Sequence, residues 1–186
     1  MIITEAKLIV LRGNSGSGKS TTAKMLRDAV IAIGSDKKIA IIEQDYLRRH
    51  ILREKEAENA DNIELIFQTV YFALNRNYSV ILEGILYSKR YDNMLMRLNQ
   101  YCPDFYYYYF DVSFSETLRR HGLKPNANEF GEAEMREWYK EKDLLHMPGE
   151  ELIPENIPQQ EIVKMILDRT GLKKLRSAST RGTEVN

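Results

Sequence analysis

Residues Gly13-Asn14-Ser15-Gly16-Ser17-Gly18-Lys19-Ser20 satisfy G-x-x-x-x-G-K-[ST] at every fixed position, directly after the apolar run Leu8-Ile9-Val10-Leu11. Such a loop needs a strand before it and a helix after it, because backbone N–H groups and the positive end of the helix must converge on one anion. The pattern therefore commits the chain to an α/β fold and to a nucleoside triphosphate site. A flexible Gly/Ser turn would account for the glycines, but not for a lysine and a hydroxyl directly after the last of them. In this arrangement Gly13, Asn14, Ser15, Gly16, Ser17, Gly18, Lys19, Ser20 and Thr21 form the nucleotide site. Lys19 reaches the β and γ phosphates, and the Ser20 hydroxyl holds Mg²⁺.

Short apolar runs alternate with longer helical patterns along the rest of the chain, as in a parallel sheet covered by helices. Strands are expected over 7–11, 38–43, 78–83, 105–111 and 151–153. The first helix should run over 19–33 and stop at Gly34. Asp61 is read as the N-cap of another, with Glu64 completing a capping box, and Ile63, Ile66, Phe67, Val70, Tyr71 and Leu74 form its core stripe. Ser113 and Glu116 make a second capping box, opening a helix that carries Arg119 and Arg120. The run Tyr106-Tyr107-Tyr108-Tyr109 sends two rings to each face of its strand. Because a parallel sheet is covered on both faces, core packing suits these rings better than a base-stacking platform. A charged helix over 132–145 follows Pro125, Asn126, Asn128 and Gly131, and a last helix is expected over 159–170.

With 186 residues, 43% of them hydrophobic, the chain can bury one substantial core. A single domain over 1–171 is expected, including a lid insertion over 124–149, with a polar, basic tail over 172–186. Lysine plus arginine equals aspartate plus glutamate at 27 each, which gives no global attraction for a long polyanion. Neither a basic leader nor a membrane-length apolar run is present, so a cytoplasmic protein is expected. Cys102, the single cysteine, reads as a passive loop or core thiol.

Phosphoryl transfer needs charge neutralisation, a positioned acceptor hydroxyl and exclusion of water. Asp45 lies just past the second strand, at the carboxyl end of the sheet where open α/β folds bind ligands, and its carboxylate can orient or deprotonate a hydroxyl. One helical turn on, Arg48 can hold an anionic part of the acceptor. The same pair also fits an N-cap aspartate with a surface arginine. Glu83 ends the third strand before Gly84, where an acidic group can contact metal-bound water or the acceptor.

With these motifs in order, the chain resembles the small P-loop kinases, a group that includes zeta-toxin-type kinases, chloramphenicol phosphotransferase, the 5′-kinase domain of polynucleotide kinases and bacterial relatives labelled uridine kinases. The resemblance spans residues 7 to 170. It implies a five-stranded parallel sheet in the order 2-3-1-4-5 with a helical lid, and ATP with Mg²⁺ as cofactors. It also implies Asp45 as general base and basic lid residues that clamp the transferring phosphoryl group. Arg120 and Arg136 match those lid residues best, with Arg119 and Lys124 as competitors. Asp45 and Arg48 match the D-x-x-R pattern of polynucleotide kinases. No aspartate-ended strand precedes Asp45, which leaves Glu83 as the acidic partner of the metal site. The activity so implied is transfer of the γ-phosphate to a hydroxyl on a small molecule. The alternatives are a polynucleotide 5′-hydroxyl kinase and a nucleotide-gated binding protein with no acceptor.

Overall fold

Strand β1, Leu8–Gly13, is buried at all six positions, which requires a strand on each side and a helical layer on each face. The computed structural model describes residues 6–34, 37–123, 128, 130–145 and 147–172. Its sheet has five strands, all parallel, in the order β2-β3-β1-β4-β5. They are β1, β2 (Lys38–Glu43), β3 (Tyr78–Gly84), β4 (Phe105–Asp111) and β5 (Glu150–Pro154). Helix α1 covers Lys19–Ala32, and a short α2 (Gln44–Tyr46) continues into a π-helical stretch, Leu47–Leu52. The remaining helices among the described residues are α3 (Asp61–Asn75), α4 (Ser88–Asn99), α5 (Phe114–Gly122), α6 (Glu132–Trp138) and α7 (Gln159–Thr170).

The pleat divides the core in two. Leu8, Val10, Val80, Leu82 and Tyr107 pack against α3 and α4 through Ile66, Val70, Leu74, Leu95 and Leu98. Ile9, Leu11, Ile81, Tyr108 and Phe110 pack against α1 and α7 through Leu26, Val30, Val163, Ile166 and Leu167. The tyrosine run follows the same alternation, with Tyr107, Tyr108 and Tyr109 buried and Tyr106 packed against the second cluster. Cys102 is buried and donates to Ala6 O. Leu172, which the sequence placed in the tail, is fully buried in the α1/α7 core, while residues 173–186 lie outside the described residues. No helix among the described residues is long and apolar enough to cross a membrane.

Three local readings need correction. Asp61 is not the N-cap of α3; Ala60 is, and the Glu54 carboxylate accepts from Asp61 N (2.8 Å) and Asn62 N (2.9 Å), so an acid outside the helix does the capping. At α5 only half of the capping box forms. Ser113 Oγ accepts from Glu116 N at 3.4 Å, but the Glu116 carboxylate is taken by Arg119 and Arg120. Helix α6 ends at Trp138, well short of residue 145, because Tyr139 is extended and the backbone of Lys140 bonds to the side chain of Asn14.

Candidate active site

The phosphate loop leaves the carboxyl end of β1, flanked in the sheet by β3 and β4. At Gly16 the backbone has φ 82°, and a Cβ would lie 2.6 Å from Thr117 O, so the turn admits only glycine there. Helix α1 starts with no side-chain cap and no acidic residue in its first turn, which leaves its unpaired N–H groups available to an anion. Lys19 is folded back over the loop, donating from Nζ to Asn14 O (2.8 Å) and Ser17 Oγ (3.2 Å). Ser20 Oγ donates to Glu83 Oε1 at 2.9 Å. Burial pushes the Glu83 carboxyl above its usual range, and the Lys19 ammonium and the Ser20 hydroxyl pull against that shift.

Two cavities meet at this loop. One, of about 610 Å³, runs from Gly16–Thr21 past Arg119 and Arg120 of α5 to the Glu155–Gln159 turn. The other, of about 250 Å³, is bordered by Ser15, Lys19, Ser20, Asp45, Glu83 and Arg49. Gly16, Lys19 and Ser20 line both. The end of β2, the end of β3 and the start of α1 thus bring Lys19, Ser20, Asp45 and Glu83 to one space.

Asp45 sits in the first turn of α2, and Glu43 is the N-cap, so Asp45 has no capping role. Its half-exposed carboxylate pairs with Arg48 at 2.9 Å and with Arg49 at 3.4 Å. Arg48 turns inward: its guanidinium also meets Glu56 at 2.9 Å and donates to Glu54 O at 3.1 Å, and it lines a different chamber from Asp45. Arg120 donates to Ser17 O (3.1 Å) and Glu155 O (2.9 Å), which fixes it over the phosphate loop. Arg136 is exposed, paired with Glu132 at 2.6 Å and stacked 4.3 Å over the Phe114 ring; it lines neither cavity. Lys124 lies outside the described residues.

Several residues at the site carry no motif. Arg12 is fully buried, donating to Leu86 O and pairing with Asp143 (2.9 Å) and Glu150 (2.7 Å). Asn14 binds the Lys140 backbone in both directions, from Nδ2 to Lys140 O (2.8 Å) and from Lys140 N to Oδ1 (2.9 Å). Gln159 donates to Gly18 O at 2.9 Å and to Thr22 Oγ1 at 2.6 Å. Its place at the start of the helix after the last strand is the one available signal, since loops at that end of the sheet face the ligand. Among the described residues no cluster of three or more His, Cys, Asp or Glu side chains is arranged to hold a metal by itself.

A family model described as "Chromatin associated protein KTI12" matches residues 7–130. No curated protein sequence matches the chain. Among solved structures, a candidate kinase from Chloroflexus aurantiacus superposes with a TM-score of 0.69 at 14% identity, covering 92% of this chain and 100% of that one. The APS kinase CysC of Mycobacterium tuberculosis, solved with AMPPNP and APS, gives 0.67 at 15% identity, over 88% and 96%. A gluconokinase from Sinorhizobium meliloti gives 0.57 at 17% identity, over 92% and 94%. At these identities the likeness is one of fold, and the fold is that of P-loop kinases.

Proposed function

The chain belongs to the KTI12 family, and from that premise and its P-loop kinase fold we propose that it is an ATP-dependent kinase that transfers the γ-phosphate to a hydroxyl of a small-molecule acceptor. The observation that carries this reading is the second cavity. A nucleotide site alone needs only the space beside Arg120, whereas Lys19, Ser20 and Glu83 also border a chamber that opens toward Asp45.

Ser20 and Glu83, already in contact, present hard oxygen donors of the kind that suit Mg²⁺, which when bound neutralises charge on the β and γ phosphates. Lys19 exchanges Asn14 O and Ser17 Oγ for phosphate oxygens. Arg120, held 3.1 Å from Ser17 O, faces the charge that develops on the transferring group. Asp45 orients the acceptor hydroxyl. As the acceptor oxygen bonds to the γ-phosphorus, the bond to the β–γ bridging oxygen breaks, ADP leaves, and the hydroxyl proton passes to the Asp45 carboxylate. In this reading Arg136 takes part only if α6 turns toward the loop, and Arg48 steadies Asp45 and does not touch the acceptor.

A second reading is favoured by the description of the family as chromatin associated: ATP binding and hydrolysis gate a surface for a protein partner, and no acceptor is phosphorylated. Incubation with γ-labelled ATP and a panel of nucleosides, sugars, phenicol and aminoglycoside antibiotics and oligonucleotides separates the two. Label recovered in an organic product supports the kinase. Label recovered solely as inorganic phosphate, with turnover rising when a partner is added, supports the gate.

A further inference from the structure

Beside the Asp45 cavity lies a chamber of about 520 Å³, the two sharing Arg49 and Ile85 as walls. Its walls carry more cations than anions. Arg48 and Glu56 neutralise each other at 2.9 Å, which leaves Arg49, Lys55, Arg90 and Lys140 facing Glu137. Two of these cations lie within cation–π distance of rings. Arg49 lies 5.4 Å over Trp138, and Arg90 lies 5.3 Å over Tyr87. Their nearest carboxylates are at 3.4 Å (Asp45) and 3.6 Å (Glu56), longer than a good charge-assisted hydrogen bond, so much of their donor capacity is unused. A ring beside each guanidinium restrains it without using its N–H donors, which suits contact with a tetrahedral oxyanion. Lys140 adds an ammonium with no ion pair among the described residues.

The chamber is also built at a set distance from the phosphate loop. The Lys140 backbone is pinned to Asn14 in both directions, and the Tyr87 hydroxyl donates to Trp138 O. Ring, lysine and loop are thereby joined in one piece.

We propose that this chamber is the anion subsite for the acceptor, and that the acceptor is a small alcohol already carrying a phosphate group, held by Arg49, Arg90 and Lys140 while its free hydroxyl reaches Asp45. This rests on the kinase reading given above. A neutral alcohol would leave Lys140 without a counter-charge and Arg49 and Arg90 with one long ion pair each; a phosphate dianion offers three oxygens to two guanidinium groups and an ammonium.

The test titrates matched pairs onto the protein saturated with AMPPNP and Mg²⁺, so that the phosphate loop is blocked: glycerol and glycerol 3-phosphate, ribose and ribose 5-phosphate, adenosine and AMP. In at least one pair the phosphorylated member should bind about tenfold tighter or more. Arg90→Gln combined with Lys140→Gln should erase that preference while AMPPNP affinity and melting temperature stay at wild-type values. Lys140→Gln alone, which breaks no side-chain ion pair or hydrogen bond among the described residues, should reduce it. The absence of a preference in all three pairs, or a preference that survives the double substitution, overturns the proposal with the kinase reading intact. Failure of AMPPNP to bind sinks the kinase reading, and this one with it, before any acceptor is added.

Discussion

Arg12 is a guanidinium with no exposed surface, inside a strand whose neighbours are apolar, and it is stable there only because Asp143 and Glu150 meet it at 2.9 and 2.7 Å and Leu86 O accepts twice. Replacing it by Met would leave two carboxylates facing each other without a counter-charge. Thermal or urea unfolding of Arg12→Met should therefore show a loss of about 3 kcal/mol or more. A near-neutral change would mean that the two acids find other partners. Glu83 is the opposite case, a buried carboxylate whose environment disfavours its charge. Its folded pKa is raised above 4.5, so the stability it contributes is fully present below 4.5 and is lost as pH rises through the folded value. Glu83→Gln, which still accepts from Ser20, should melt at or above the wild-type temperature at neutral pH, with the gap widening as pH rises above 4.5. The same variant should need more Mg²⁺ to bind ATP. A variant that melts lower at neutral pH would show that ionised Glu83 supports the fold.

At the scale of elements, the strands were the easiest part to read, because 38–43 and 105–111 are bounded apolar runs and β1 is a run buried on both faces. What escaped was decided by contacts distant in sequence. The cap of α3 comes from Glu54, and α6 stops where Asn14 captures the Lys140 backbone. At Arg48 and Arg49 the i,i+3 pair with Asp45 was legible, but the π-helical turn that points one arginine inward and leaves its neighbour facing the cavity was not. The Asn14 contact ties the phosphate loop to the segment after α6, and that coupling has a direct readout. Asn14→Ala removes the acceptor for Lys140 N, so hydrogen exchange at Lys140 should speed up by an order of magnitude or more, while Val80–Leu82 in β3 stays as protected as in the wild type. Unchanged exchange at Lys140 would mean that the segment is held by other contacts, with Tyr109 foremost.

For the molecule as a whole, the sheet order 2-3-1-4-5 brings the ends of β2 and β3 beside the phosphate loop, so residues far apart in sequence share one space. The phosphate-loop pattern and the position of Asp45 made that half of the site legible. The cation-lined chamber was not, because Tyr87, Arg90, Trp138 and Lys140 form no pattern until the fold assembles them. The proposed phosphoryl transfer depends on Asp45, whose exposed pairs with Arg48 and Arg49 add only about 0–1 kcal/mol to stability. The most direct measurement follows ATP affinity, melting temperature and acceptor phosphorylation together for Asp45→Asn. Affinity and melting temperature should stay close to wild type while phosphoryl transfer falls about 10²-fold or more, because the amide can neither take the proton nor orient the hydroxyl through charge. Transfer at the wild-type rate in that variant would contradict the account, removing Asp45 from the chemistry and the acceptor from its place beside the phosphate loop.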